Sequence, residues 1–447
     1  MFYRRAMKQL EAWSLKKDRK PLILRGARQV GKTTLVRMFA EKFEHYVELN
    51  LELEENKKIF SKNLAIREIV QSISLQKNVP LINSKALLFI DEIQNSPQAI
   101  SMMRYFYEEF DNLFVIAAGS LLEAVIGKEQ ISFPVGRIEY LFMYPVTFTE
   151  FLEAKGNDEA IKAYNNIPMA DFAHATLLKL FHEYVMLGGM PEVVKTWFES
   201  NDVLDLKSIY RNLLISYHDD ITKYARNSSM IDIMRHTVET IPFEAGKRIT
   251  FRGFGNSNYR SREIGEALRS LQNAGLIDLV YPVTSTDPPI IPNKRKKPRL
   301  QFLDTGLVNY SVGLFDQYIG INDLSSLYKG RIIEHIVGQE LKVLLSQQDH
   351  QLTFWVREKK QSQAEIDFLV SFKGRLIPIE TKSGNVGKLR SLHLFMNASD
   401  SKFAIRLYAG KLNIQKIKLS SEKEVTLLNL PYFLVGKLYD YLEYYAK

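Results

Sequence analysis

Residues 21–36 read PLILRGARQVGKTTLV, and the fold of the chain turns on that stretch. Pro21–Leu24 is a short apolar run of the kind that forms a buried strand. Gly26-Ala27-Arg28-Gln29-Val30-Gly31-Lys32-Thr33 then fits G-x-x-x-x-G-K-[ST], and Leu35, Val36, Phe39 and Ala40 recur behind it at helical spacing. Strand, glycine loop and helix together are the context in which this pattern has a mechanism. The glycines let main-chain N–H groups turn inward about a β-phosphate. The helix N-terminus adds partial positive charge. Lys32 is suited to reach the β- and γ-phosphates and the Thr33 hydroxyl to take one position on Mg²⁺, so Gly26 to Thr34 reads as an ATP-binding loop. The alternative is a chance match in a helix-capping loop, and the flanking elements weigh against it.

A second element supports the first. Residues 86–92 read ALLFIDE, an apolar run that ends in two carboxylates. That is the pattern of a buried parallel strand. Asp91 would hold Mg²⁺ through its water shell, and Glu92 would polarise the attacking water. A third apolar run, Leu113–Ala118, leads into Gly119-Ser120. Ser120 is suited to bond the γ-phosphate or the water, and equally to cap a helix. Arg137, in the stretch FPVGRIEYLFMYPVTFTEF, reads either as an arginine finger, in cis or from a neighbouring subunit, or as a structural surface arginine.

Gly26–Thr33, Leu87–Glu92, the Gly119-Ser120 strand end and Gly136-Arg137…Pro145–Phe151 resemble the AAA-type ATPases of bacteria and archaea. More narrowly, they resemble the group in which the ATPase is followed by a C-terminal region of unknown function. The resemblance implies a five-stranded parallel sheet with helices on both faces and ATP at the carboxyl ends of the strands. It implies that Ser120 is a sensor and that Arg137 is the arginine of the family's Gly-Arg position. No second-sensor arginine is recognisable in the helices that follow.

The whole chain bounds the rest. Its 447 residues suggest several domains at about 150 residues each. With 46% hydrophobic and 25% charged residues and no low-complexity tract, it reads as globular. It has no cysteine, which excludes disulfides and thiolate metal sites. The start, MFYRRAMKQLEAW, has no signal-like apolar core, and no run of about 18 apolar residues occurs, so a cytoplasmic protein without a membrane span is expected. The formal net charge of +9 permits nucleic-acid binding without demanding it.

The domains expected are an ATPase domain over 1–160, a helical linker over 161–230, a winged-helix-like domain over 231–325 and a restriction-endonuclease-like domain over 326–447. In the second, HEYVMLGGMPEVV breaks at Gly188-Gly189, with Pro191 suited to the first turn of the next helix. His218 beside Asp219 and Asp220 has no defensible ligand spacing and reads as a helix surface. In the third, Ile264, Ala267, Leu268 and Leu271 share a helical face, Gly275 ends that helix, and Leu276–Val283 runs on as a strand. The basic run KRKKPR, Lys294–Arg299, precedes a return strand within LQFLDTGL. It reads as a solvated loop or as the tip of a DNA-binding wing.

The last segment contains a helix from Gly330, then strands at 354–358, 364–370 and 375–382, a helix and the strand FAIRLYAG. Alternation puts Glu365 with Asp367, and Glu380 with Lys382, on shared faces. If the strands pair through the turn at Lys373-Gly374, Asp367 and Glu380 would hold one or two Mg²⁺ ions, Lys382 would position a water, and Glu334 or Glu340 would complete the site. These residues resemble the D…E-x-K signature of the restriction-endonuclease superfamily, with Glu334 matching its helix glutamate. Ile366 stands where the strict form has proline. Charged residues on the exposed side of a hairpin are the plainer reading. The function expected is an ATPase coupling nucleotide state to DNA or a partner, with a homo-oligomer in view. An ATP-regulated Mg²⁺-dependent nuclease and a slow nucleotide switch are the alternatives.

Overall fold

In the computed structural model, residues 2–61, 64–82, 84–119, 136–315, 326–359, 362–382 and 389–446 are described. The chain divides into two compact units, Met1–Tyr144 with Ser270–Leu276, and Pro145–Arg269 with Ile277–Lys447.

The first unit is built on five strands: β1 (Leu22–Arg25), β2 (His45–Asn50), β3 (Ala86–Asp91), β4 (Leu113–Gly119) and β5 (Glu139–Phe142). Their order is β2-β3-β4-β1-β5. Every pairing is parallel. β3 and β4 are buried along their whole length, because helices cover both faces of a parallel sheet. The helix Lys32–Ala40 buries Leu35, Val36, Phe39 and Ala40, the face its spacing predicts.

The second unit holds β6 (Ile277–Val280), β7 (Pro282–Val283), β8 (Arg299–Phe302), β9 (Phe354–Lys359), β10 (Ser362–Ile366), β11 (Phe368–Phe372), β12 (Arg375–Thr381), β13 (Phe403–Tyr408), β14 (Asn413–Lys418) and β15 (Glu424–Pro431). They form sheets ordered β6-β8, β10-β9-β7 and β11-β12-β13-β15-β14. Ile264, Ala267, Leu268 and Leu271 are buried as predicted, and Gly275 adopts φ +74°. The strand expected over Leu276–Val283 is split into β6 and β7, which join different sheets.

The first unit runs to Tyr144 and takes in Ser270–Leu276. Thr147 caps the helix Phe148–Lys155 with a reciprocal Glu150 bond. Phe148 then packs on Tyr164 and Phe181, and Phe151 on Tyr184, inside the second unit. Within the second unit, buried polar groups tie distant segments together. Glu340 accepts from the Phe148 N–H (3.0 Å) and the Tyr184 hydroxyl (2.7 Å). Asp304 accepts from the Gly189 N–H at 2.5 Å and caps the helix Thr305–Ser311. A Cβ on Gly188 would lie 2.3 Å from Asp304 Oδ1 and 2.4 Å from the Gly306 nitrogen, so the Gly188-Gly189 break is a docking point for this turn.

Candidate functional site

The glycine loop begins where β1 ends, at the carboxyl edge of the sheet. Gly26 (φ +146°), Gln29 (φ +61°) and Gly31 (φ +92°) take positive φ, which turns the main chain back on itself. A Cβ on Gly26 would lie 2.3 Å from the Met143 carbonyl oxygen, so only glycine fits there. Ala27, Val30 and Lys32 are buried. Arg28 lies 3.7 Å from Glu52. Lys32 Nζ donates to the Gly26 and Ala27 carbonyls at 2.9 and 2.8 Å. Burial pushes this ammonium down to about 8, against the opposing pull of Glu92 and Asp91. A cation held among carbonyls and short of counter-charge is suited to an anionic ligand. Thr34 follows Thr33 in the first turn of the helix that begins at Lys32.

The Thr33 hydroxyl donates to Asp91 Oδ2 at 2.8 Å, so the two residues expected to share Mg²⁺ are already together. Burial raises the Asp91 carboxyl, and the Thr33 bond opposes the rise. A hydroxyl and a carboxylate are the hard oxygen donors that Mg²⁺ takes, so the residues fit the ion. Glu92, next in sequence, adopts φ +53° and leads into the 3₁₀ turn Ile93–Asn95.

Arg137 stands elsewhere. β5 runs parallel to β1 with Leu22 opposite Glu139, so Arg137 precedes the amino end of the sheet while the loop follows its carboxyl end. At roughly 3.3 Å per strand residue, the two ends are more than about 10 Å apart. Arg137 Nε donates to Glu108 at 3.1 Å, and its side chain is 52% exposed. An arginine finger in cis is therefore corrected by the strand direction. Ser120 lies outside the described residues.

Two partners of this site are not picked out by the sequence reading. Arg4 is buried and donates to the Val30 carbonyl at 2.8 Å and the Tyr144 carbonyl at 2.7 Å, pinning the loop from far away in the chain. Gln94, 6% exposed, donates through Nε2 to Glu92. The adjacency Asp91-Glu92-Ile93-Gln94 was the only hint of it.

In the second unit, β11 and β12 pair antiparallel with Phe368 opposite Ile379, as the Lys373-Gly374 turn suggests. The strand expected over 364–370 is interrupted at Asp367, between β10 in one sheet and β11 in another. The bend is held from both sides. Asp367 Oδ2 accepts the Thr381 N–H at 2.7 Å, and its carbonyl accepts Arg299 Nη1 at 3.0 Å. Lys382 Nζ donates to Glu380 Oε1 at 2.5 Å. Glu334 faces the same group: burial, then Asp367, push it up to about 8. Burial, then Asp367, likewise raise Glu380 to about 7. Glu340, the alternative helix carboxylate, is committed to Phe148 and Tyr184 and does not join them. Glu380 is 7% exposed and its Oε2 has no hydrogen-bond partner among the described residues. Among the described residues, no group of three or more His, Asp or Glu is arranged to hold a metal ion as it stands.

Arg299, read as part of a solvated basic run, is instead 5% exposed. It pairs with Glu365 and lies 4.7 Å from the Phe354 ring centre. Lys296 is likewise engaged, 2.5 Å from Glu358. His218 lies 3.6 Å from Glu239, and Asp220 pairs with Lys223, so neither forms a metal grouping.

Parallel sheet, glycine loop and the Thr33–Asp91 contact are the arrangement of a P-loop nucleotide-binding fold. The family comparison supports that reading for the first part of the chain. Residues 18–152 match the family described as an AAA domain. Residues 178–318 and 329–433 match two families described as domains of unknown function, DUF8612 and DUF4143. No curated protein matches the chain. Among solved structures, it is similar to a Walker-type ATPase of Pyrococcus abyssi, at 14% identity and a TM-score of 0.45, over 70% of this chain and 96% of that one. It is also similar to the Aeropyrum pernix ORC1 protein in complex with DNA, at 11% identity and a TM-score of 0.24, over 70% and 92% of the two chains. A third is a STAND protein with a tetratricopeptide repeat sensor from Pyrococcus horikoshii, at 12% identity and a TM-score of 0.28, over 76% and 45%. Among the described residues no helix is long and apolar enough to cross a membrane.

Proposed function

We propose that the chain binds and hydrolyses ATP, and that its C-terminal region couples nucleotide state to DNA or a protein partner. The observation that carries this reading is the Thr33–Asp91 hydrogen bond beside a loop turned by two positive-φ glycines. Main-chain N–H groups of Gly26 to Thr34 and the Lys32 ammonium would hold the phosphates. Thr33 and Asp91 would hold Mg²⁺, which neutralises phosphate charge when bound. Glu92 would take the proton of the attacking water, with Ser120 at the γ-phosphate. Arg137, on the amino edge, is either a surface arginine paired with Glu108 or a finger for a neighbouring subunit; in the second case specific activity should rise with protein concentration. The exposed Lys294, Arg295 and Lys297 beside the β6–β8 hairpin support a polyanion contact. The domain limits proposed remain 1–160, 161–230, 231–325 and 326–447. Lys32→Ala should abolish ATP turnover, and hydrolysis retained in that variant removes the reading.

A second reading rests on Glu380 Oε2, a buried oxygen without a partner beside Asp367 and Glu334. Leaving such a group unsatisfied costs about 1–3 kcal/mol, and a divalent cation would remove that cost. Glu334, Asp367 and Glu380 would hold the cation, with Lys382 beside it, in a restriction-endonuclease-like domain that cuts DNA. Mn²⁺-dependent plasmid cleavage should then be lost in Asp367→Ala and Glu380→Ala but kept in Lys32→Ala. Uncut plasmid and linear DNA with either Mg²⁺ or Mn²⁺ would remove it.

A further inference from the structure

We propose that Gln94 is a positioning residue for Glu92, fixing its carboxylate for the hydrolytic step; this rests on the ATPase reading. In that step the water oxygen bonds the γ-phosphorus and a water proton passes to Glu92. The bond to the bridging oxygen breaks, and its electron pair leaves on ADP.

The local chain explains why Gln94 and no other side chain takes this role. Glu92 at φ +53° turns the backbone out of β3 and into the 3₁₀ turn Ile93–Asn95. That turn folds Gln94 back, and its Nε2 donates to Glu92 Oε2. Only the NH₂ side of an amide can face a carboxylate, so the amide orientation is set by chemistry. The carbonyl side must then point away, and it meets the last residue of β4. A Cβ on Gly119 would lie 2.3 Å from Gln94 Oε1. Gln94 is therefore wedged between the Glu92 carboxylate and the carboxyl end of a central strand. Its Oε1 is buried with no hydrogen-bond partner among the described residues. A buried amide with one half unsatisfied is costly, and such groups persist where the held arrangement is used. A fixed rotamer is what a general base needs, because proton transfer demands hydrogen-bond reach to one particular water.

Two substitutions test this. Gln94→Leu keeps the bulk and removes the hydrogen bond. Gly119→Ala keeps Gln94 but pushes its amide aside. Both should lower kcat for ATP about 10–100-fold, with KM for ATP within about twofold of the unsubstituted chain, because the phosphate loop is untouched. A kcat within about twofold for Gln94→Leu overturns the proposal. So does a loss of kcat with KM raised in parallel, which would mean a disturbed loop. If Gln94→Leu fails to fold, Gly119→Ala decides alone by the same split. An unsubstituted chain with no turnover removes the ATPase reading itself. Turnover that Lys32→Ala abolishes and Gln94→Leu leaves intact removes only the role given to Gln94.

Discussion

Replacing Asp304 by asparagine tests the buried centre of the second unit through pH. Asp304 is fully buried and accepts hydrogen bonds from the Gly189 and Leu307 N–H groups and from Gln339 Nε2. Burial raises its carboxyl from 3.8 to about 6, and those donors limit the rise. A raised acid binds its proton more tightly in the folded chain. The stability this contributes is complete below 3.8 and is lost as pH climbs through about 6. The shift of 6 − 3.8, roughly 2 units, corresponds to about 3 kcal/mol. Between pH 4 and pH 7.5 the native chain should therefore lose about 2.5 kcal/mol at this group. Asparagine does not titrate. It also turns an N–H donor toward donors, a constant cost of about 1–3 kcal/mol. Urea titrations followed by fluorescence should show Asp304→Asn clearly less stable at pH 4, with the gap closing by about 2.5 kcal/mol by pH 7.5. His335 pulls the other way, since burial, then Arg331, hold it down to about 3 and make acid destabilising. It is present in both proteins and cancels in the difference. A gap independent of pH would refute the reasoning.

Thr33→Val removes the hydroxyl bonded to Asp91 and should raise the Mg²⁺ concentration needed for turnover about 10–100-fold, read from a metal titration of initial rates. Gly188→Ala forces a side chain against Asp304 and the Gly306 nitrogen at a positive φ, and should cost about 3–5 kcal/mol in urea unfolding. Arg299→Met strips the guanidinium from Glu365 and the Asp367 carbonyl, and should cost about 3–5 kcal/mol, partly restored by Glu365→Gln in the same chain.

Local chemistry was legible where it is contiguous. The loop from Gly26 to Thr33 and the acidic end of β3 stand out because their residues lie within short stretches of chain, and the fold brings Thr33 against Asp91. The helix Ser261–Asn273 read correctly because its apolar face is periodic. What failed depends on tertiary partners. Strand direction puts Arg137 at the wrong edge for a role in cis, and nothing in Gly136-Arg137 shows which edge that is. Arg299 reads as part of a solvated run in the sequence, yet Glu365 and the Asp367 carbonyl hold it buried. Asp367 breaks its strand because the Thr381 N–H and Arg299 hold it, and alternation alone treats it as one more strand residue.

The basic run Lys294–Arg299 has a quantitative corollary for ionic strength. Its letters spell five cations, yet Lys296 and Arg299 have already surrendered their charge to Glu358 and Glu365. Lys294, Arg295 and Lys297 remain exposed. A duplex seated there would release counterions with a log–log salt slope of about −2.7 from three contacts, where five would give about −4.5.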